Sequence, residues 1–380
     1  MGPLAGVKVI ELAGIGPGPL AAMFLADLGA TVIRVDRKQT AELGVKRPIE
    51  FDLALRNRRS VRVDLKERAG VELVLDLVRN ADVLIEGFRP GVTERLGVGP
   101  DDCMKVNPRL VYGRVTGWGQ DGPLAQSPGH DINYIAITGL LNAIGRAGQA
   151  PTPPLNLMGD YAGGSLYLAF GIVCAILEAR ASGKGQVIDA AMVDGVASLL
   201  TVLTGLRHAG VGKGPRGTNL LDSGSPFYEV YECADGRYVS VGPIEEKFYL
   251  QLLQCLEIPA DELGGQWDEE TWPHAKRVFA ERFKQRSRAD WERLFEGKEV
   301  CFSPVLDYEE AFDHAHLKAR GTYIEVDGVV QPAPGPRFSR TTLDIPQPPK
   351  PINTENALIA LREWLPDEAI SAHQSAGAFI

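Results

Sequence analysis

Short apolar runs alternate with amphipathic stretches through the first third of the chain. Residues 7–12 (VKVIEL) read as a strand, 13–19 as a Gly/Pro turn, 20–28 as a helix and 31–35 as a second strand. The same rhythm predicts a helix over 69–78, a strand at 82–85, a short helix near 92–96 and a strand at 110–116. Strands alternating with helices specify an α/β body with a parallel sheet covered on both faces.

A long apolar stretch, 160–181, ends in Ser182-Gly183-Lys184-Gly185, the chemistry of a helix C-terminus. Its length approaches that of a membrane span, yet Gly163, Gly164 and Gly171, a charged start and a cationic end predict a buried core helix instead. A strand over 186–190 and a helix over 193–206 complete a first body spanning 1–208. Residues 209–226 are glycine-rich and aperiodic, and they read as a linker or mobile loop. A smaller α+β domain, 227–330, follows. It opens with strands 228–232 and 237–241 around Ala234-Asp235-Gly236 and continues with helices near 246–257, 275–285 and 289–296. Asp327-Gly328 marks a second hairpin, and 331–380 is a Pro-rich return ending in a helix near 355–364 that packs on the first body.

Composition narrows the function. The 380 residues are too many for one ordinary core, and 44% hydrophobic with 23% charged residues is a globular balance. The start, Met1-Gly2-Pro3, lacks the basic and apolar regions of a signal peptide, so a cytoplasmic protein with no membrane span is expected. Five scattered cysteines carry no C-x-x-C spacing, which indicates neither a disulfide framework nor a metal site. A net charge of -9 argues against nucleic acid as a partner. Against that background three basic clusters stand out: Arg34, Arg37 and Lys38; Arg56, Arg58, Arg59, Arg62 and Lys66; and Arg89. Falling beside strand ends of one βα unit, they suit as a group a polyanion such as the phosphates of coenzyme A, although each arginine alone reads first as a solvated surface residue.

The turn Gly14-Ile15-Gly16-Pro17-Gly18-Pro19, with Asp36 closing the next strand, imitates a dinucleotide fingerprint but fails it. Pro19 replaces its last glycine, and the two prolines remove N–H donors. His130 lies in Gly129-His130-Asp131-Ile132-Asn133-Tyr134 after a glycine-rich loop. Asp160 opens the long helix, where it reads either as a simple N-cap or as an acid/base group beside backbone donors for an enolate oxygen. The apolar neighbours Leu155, Leu157 and Met158 are expected to keep that carboxyl protonated near neutral pH.

The ordered segments ELAGIGPGP, LADLGATVIRVDR, DVLIEGFRPGVTERLG, GWGQDGP, GHDINY, NLMGDYAGGS and SGKGQVIDAAMVDG resemble the family III CoA-transferase superfamily over nearly the whole chain. The resemblance implies a Rossmann-like large domain, a small domain, and two chains interlocked as a homodimer with active sites at the subunit interface. It implies an acyl-CoA substrate, and the expected chemistry needs no metal and no cofactor beyond the coenzyme A of that substrate. Carried over by position, the proton-transfer pair falls on His130 and Asp160, a carboxylate supporting the histidine on Glu245 with Glu246 beside it, and a polar neighbour on Asn156. The coenzyme A contacts fall on Arg37, Val63, Asp64, Leu65, Lys66, Arg89, Gly129, Asp131, Ile132, Asn133 and Tyr134. Transferases of the superfamily resemble one another in a glutamine of the first turn, where this chain has Gly16, and many carry a glycine run where residues 241–246 hold a single glycine. Both departures favour the branch that inverts the 2-methyl centre of acyl-CoA thioesters. The alternative is CoA transfer between carboxylic acids through a mixed anhydride on Asp160.

Overall fold

The computed structural model describes residues 2–39 and 44–380. Packing divides them into two compact units, one comprising residues up to Thr138, Leu155–Leu199 and Ala319–Ile380, the other Gly139–Pro154 and Leu200–Lys318. Residues 139–154 and the helix following Leu200 therefore group with the second unit, and the hairpin around Asp327-Gly328 with the first, where the sequence reading draws its lines at 208 and 330.

The first unit is built on six parallel strands: β1 (Lys8–Leu12), β2 (Thr31–Arg37), β3 (Arg58–Val63), β4 (Val83–Glu86), β5 (Val111–Thr116) and β6 (Val187–Ala191). Their order is β3-β2-β1-β4-β5-β6, so the winding direction reverses between β1 and β4. Connections run through helices α1 (Pro17–Asp27), α2 (Arg68–Arg79), α3 (Val92–Arg95), α4 (Pro100–Val106) and α5 (Asp131–Ile137). The short α6 (Leu140–Ala143) belongs to the second unit, and α7 (Tyr167–Ser182) and α8 (Met192–Leu199) flank β6 in the first. Alternation along β1 sends Ile10 and Leu12 to the face covered by α2 and the C-terminal helix Thr354–Arg362, and Val7 and Val9 to the face covered by α1 and α7.

Three local features depart from the sequence reading. α1 starts at Pro17 rather than residue 20, because a proline in the first helical turn gives up an N–H that has no intrahelical partner there. β3 occupies the RRSVRV segment read only as a basic cluster; its arginines are compatible with a strand because Arg58 meets a buried counter-charge. The long apolar stretch is two pieces, a π-helical segment Leu157–Leu166 followed by α7, so Asp160 lies within the first turns and is not the N-cap.

The run Leu157–Ser182 is long and apolar enough to cross a membrane by length and composition, and half of its most apolar window is buried within the chain. Leu168, Ile172, Ala175, Ile176 and Ala179 face the sheet, whereas Leu166, Phe170 and Leu177 are exposed at 55%, 70% and 62%. The core-helix expectation thus holds for one face only.

The second unit carries a three-stranded antiparallel sheet, Glu229–Glu232, Tyr238–Val241 and Phe302–Pro304, packed by helices Glu246–Leu256, Trp272–Phe283 and Arg288–Phe295. Aromatic side chains dominate its core, among them Phe227, Tyr231, Trp272, Phe279, Phe283 and Trp291. The 209–226 segment, read as a linker or mobile loop, is extensively bonded. Asp222 accepts the N–H groups of Gly217 and Asn219 at 2.9 and 2.7 Å, and Arg216 donates to the Asn142 carbonyl at 3.0 Å.

Candidate active site

All six strands end on one edge of the sheet, and the chain turns that follow carry almost every candidate residue of the first unit. β1 leads into Gly14–Gly16, β2 ends at Arg37, β3 leads into Asp64–Lys66, β4 into Arg89, and β5 into the loop that reaches His130. In open α/β sheets this carboxyl edge, at the point where strand order reverses, is the crevice that receives ligands.

Asp160 reaches the crevice from the π-helical segment. Gly163 and Gly164 let that segment press against α8 and α1: a Cβ on Gly163 would stand 2.9 Å from Val196, and one on Gly164 2.9 Å from Pro17. The Ser165 hydroxyl donates to the Pro17 carbonyl at 2.9 Å. This close packing aims Asp160 at the β1–α1 turn, where Gly16 adopts φ 68° and an added Cβ would lie 3.4 Å from Asp160 Oδ2. Burial raises the Asp160 carboxyl above its usual range; the Asn156 amide, donating to Oδ2 at 3.1 Å, pulls it down, the Asp131 carboxylate pushes it up, and His130 pulls it down. Leu155 and Leu157 are 68% and 50% exposed, so they do not supply the burial expected of them.

His130 stands exposed at the start of α5. Its N–H donates to Asn133 Oδ1 at 3.0 Å. The preceding loop is stapled by two aromatic residues in edge-to-face contact, ring centroids 4.8 Å apart: Trp118 Nε1 donates to the Ser127 carbonyl at 3.1 Å, and the Tyr134 hydroxyl donates to the Gly129 carbonyl. Burial pushes the Tyr134 phenol up to about 12. The sequence reading gives no role to Trp118, nor to Gly16 as a neighbour of Asp160; the available signal is that Trp118 sits between Gly117 and Gly119 and that Gly16 lies in a Gly/Pro turn.

Not every predicted contact is open to a ligand. Arg37, Lys66 and Arg89 are exposed at the crevice, with the Arg37 guanidinium 5.6 Å from the Phe88 ring centroid. Ile132 is 44% exposed, and Asn133 is exposed as well. Asp64 accepts the Lys66 N–H at 3.0 Å and Leu65 packs against the core, so these two shape the turn, while Val63 is buried. Arg56 is corrected: only 3% exposed, it pairs with Asp27 at 2.5 Å and donates to Gln331 at 2.9 Å and the Pro332 carbonyl at 2.8 Å. Arg34 and Arg58 are likewise consumed internally by Glu11. The Asp131 side chain is 3% exposed and accepts the N–H groups of Gly159 and Asp160, which removes both the carboxylate as a coenzyme A contact and those two N–H groups as enolate donors. Glu245 belongs to the second unit, exposed, at the N-cap position of helix Glu246–Leu256, and its charge helps to raise the Cys301 thiol after burial. Among the described residues no group of three or more His, Cys, Asp or Glu converges in a metal-binding cluster.

Residues 4–356 match CoA-transferase family III. The chain belongs to that family. Mouse (Mus musculus) alpha-methylacyl-CoA racemase is 43% identical over 364 residues, covering 95% of this chain and 93% of the mouse protein. The human (Homo sapiens) protein of the same name is 43% identical over 341 residues, covering 89% and 87%. A crystal structure of a CAIB/BAIF family protein from Brucella suis superposes with a TM-score of 0.79 at 28% identity, covering 95% of this chain and 99% of that one.

Two substitutions separate structural from ligand-facing roles in this family III protein. Arg56→Ala takes the paired guanidinium from the buried Asp27 carboxylate, leaving it the Asn57 amide, and is expected to lower unfolding free energy by about 3 kcal/mol, with the KM for acyl-CoA unmoved in what remains folded. For the exposed Arg89, a coenzyme A contact by the resemblance, Arg89→Ala is expected to leave the melting temperature in place and to raise that KM about tenfold, the scale of one charge-assisted contact. Chemical denaturation and steady-state kinetics on both variants provide the check. At the turn, Gly16→Ala introduces strain at φ 68° and a methyl against Asp160. A fall in kcat of roughly tenfold or more with little change in KM is expected, because small misplacements at a reacting centre cost rate rather than binding.

Proposed function

We propose that this protein racemises 2-methyl-branched acyl-CoA thioesters by moving the α-proton through an enolate. The carrying observation is that separate segments bring His130 and Asp160 to one crevice: Asp131, the residue after His130, accepts the Asp160 N–H at 2.8 Å, and the histidine's charge bears on the Asp160 carboxyl. Inversion requires one group on each face of a planar enolate, one accepting a proton and one returning it. For one enantiomer neutral His130 takes the α-proton and protonated Asp160 delivers one to the opposite face; for the other the roles exchange. The raised Asp160 carboxyl supports the protonated half of this cycle. The enolate oxygen needs donors other than the Gly159 and Asp160 N–H groups, which Asp131 occupies.

Coenzyme A is proposed to enter as part of the substrate, its phosphates held by Arg37, Lys66 and Arg89. The exposed stripe Leu166, Phe170, Cys174 and Leu177 on one side of α7 and the turn before it supports a homodimer, with a second copy covering a face that water would otherwise wet. The 43% identity to two racemases supports racemisation over the CoA transfer that gives the family its name. The test is incubation with one enantiomer of a 2-methylacyl-CoA in deuterated water. Deuterium uptake at the α-carbon with loss of stereopurity is expected; no uptake, with CoA passing to an added carboxylate, would place the protein with the transferases.

A further inference from the structure

We propose that Asp131 is the positioning residue that sets the reach of Asp160, by holding the backbone of the π-helical segment from the residue next to His130; this rests on the racemase reading. Its Oδ2 accepts two N–H groups at once, from Gly159 at 2.6 Å and from Asp160 itself at 2.8 Å. The side chain is 3% exposed. Its other oxygen, Oδ1, is buried without a hydrogen-bond partner among the described residues. A half-satisfied buried carboxylate is a poor choice for stability alone. It is a good choice for fixing a distance. Gly159 permits the grip, since a Cβ there would come within 2.8 Å of Oδ2. N–H groups in the first turn of a helix lack intrahelical partners, so without Asp131 nothing within the helix holds this turn of the π-helical segment.

The histidine is held by other means. Its N–H is bonded to Asn133, and Tyr134 clamps the Gly129 carbonyl just before it. Loss of the Asp131 carboxylate therefore loosens the Asp160 arm and leaves the His130 arm in place, a one-sided effect that a general structural residue would not produce.

The experiment measures α-deuterium uptake from each 2-methylacyl-CoA enantiomer separately, with the unaltered protein, His130→Ala, Asp131→Ala, Asp131→Asn and Asp131→Glu. The enantiomer whose exchange survives His130→Ala is the one deprotonated by Asp160. For that enantiomer Asp131→Ala is expected to lower kcat by about 10- to 100-fold, with KM and the opposite enantiomer changing by less than about threefold. Asp131→Asn, whose amide oxygen still accepts both N–H groups, restores most of the rate. Asp131→Glu, which keeps the charge and shifts it by one carbon, shows the one-sided loss even where the alanine variant folds poorly. Equal losses from both enantiomers, or an asparagine variant as impaired as alanine, would overturn the positioning role. Absence of exchange in the unaltered protein would instead overturn the racemase reading, and the inference with it.

Discussion

His130→Ala is expected to reduce α-proton exchange from one enantiomer of a 2-methylacyl-CoA by roughly 10²- to 10⁴-fold, the usual contribution of a general acid/base group, and to reduce exchange from the other much less. The asymmetry follows from the proposed two-base arrangement. With the imidazole gone, Asp160 can still remove the proton from the face it serves, although no partner remains to complete inversion, so exchange persists where racemisation stops. His130 is exposed and its backbone is held through Asn133 and the neighbouring tyrosine, so the melting temperature should stay where it is. Deuterium uptake followed separately from each enantiomer reads the result. Small, equal losses from both would remove His130 from the proton-transfer pair.

The largest effect on stability is expected at Glu11, far less conspicuous in the sequence. It is fully buried near the end of β1 and pairs with Arg34 at 2.5 Å and with the wholly buried Arg58. Arg34 also bonds Asp36 at 3.2 Å and reaches the Gly14 carbonyl at 3.4 Å. Glu11→Ala leaves the buried Arg58 without its paired carboxylate and Arg34 with Asp36 alone, and removing one partner of a buried ion pair costs about 3–5 kcal/mol. Denaturant unfolding should show that loss, and a shift of Arg34, which donates to the Gly14 carbonyl, should carry it to the turn facing Asp160 as a reduced kcat. A loss below about 1 kcal/mol would mean that the arginines find other partners or water.

These sites show where sequence reading stops. The β1, β2, β4, β5 and β6 strands were legible because each is a short apolar run between turn signals, and apolar burial is a property of the residues themselves. β3 was not, since Arg58, Arg59 and Arg62 read as surface until Glu11, from another strand, supplies the charge that allows Arg58 inside. The basic cluster divided in the same way. Arg37 and Arg89 stayed open at the crevice, while Arg56, indistinguishable from them in sequence, turned inward to Asp27, a residue 29 positions away. The π-helical start of the long helix was hidden as well: a 3.6-residue period describes side-chain faces, not the wider turn adopted when Gly159, Gly163 and Gly164 are pressed against three neighbours.

By itself the sequence determined the alternating α/β architecture, the carboxyl-edge turns and the membership of His130 and Asp160 in ordered motifs, because periodicity and turn chemistry are local. Only the tertiary structure decided which arginines are free to meet a phosphate, that Gly16 faces Asp160, and that Asp131 grips the Asp160 backbone. Each of those outcomes depends on groups far apart in the chain meeting in an interior where an unpaired charge is costly, and that energy does not exist until the fold has formed.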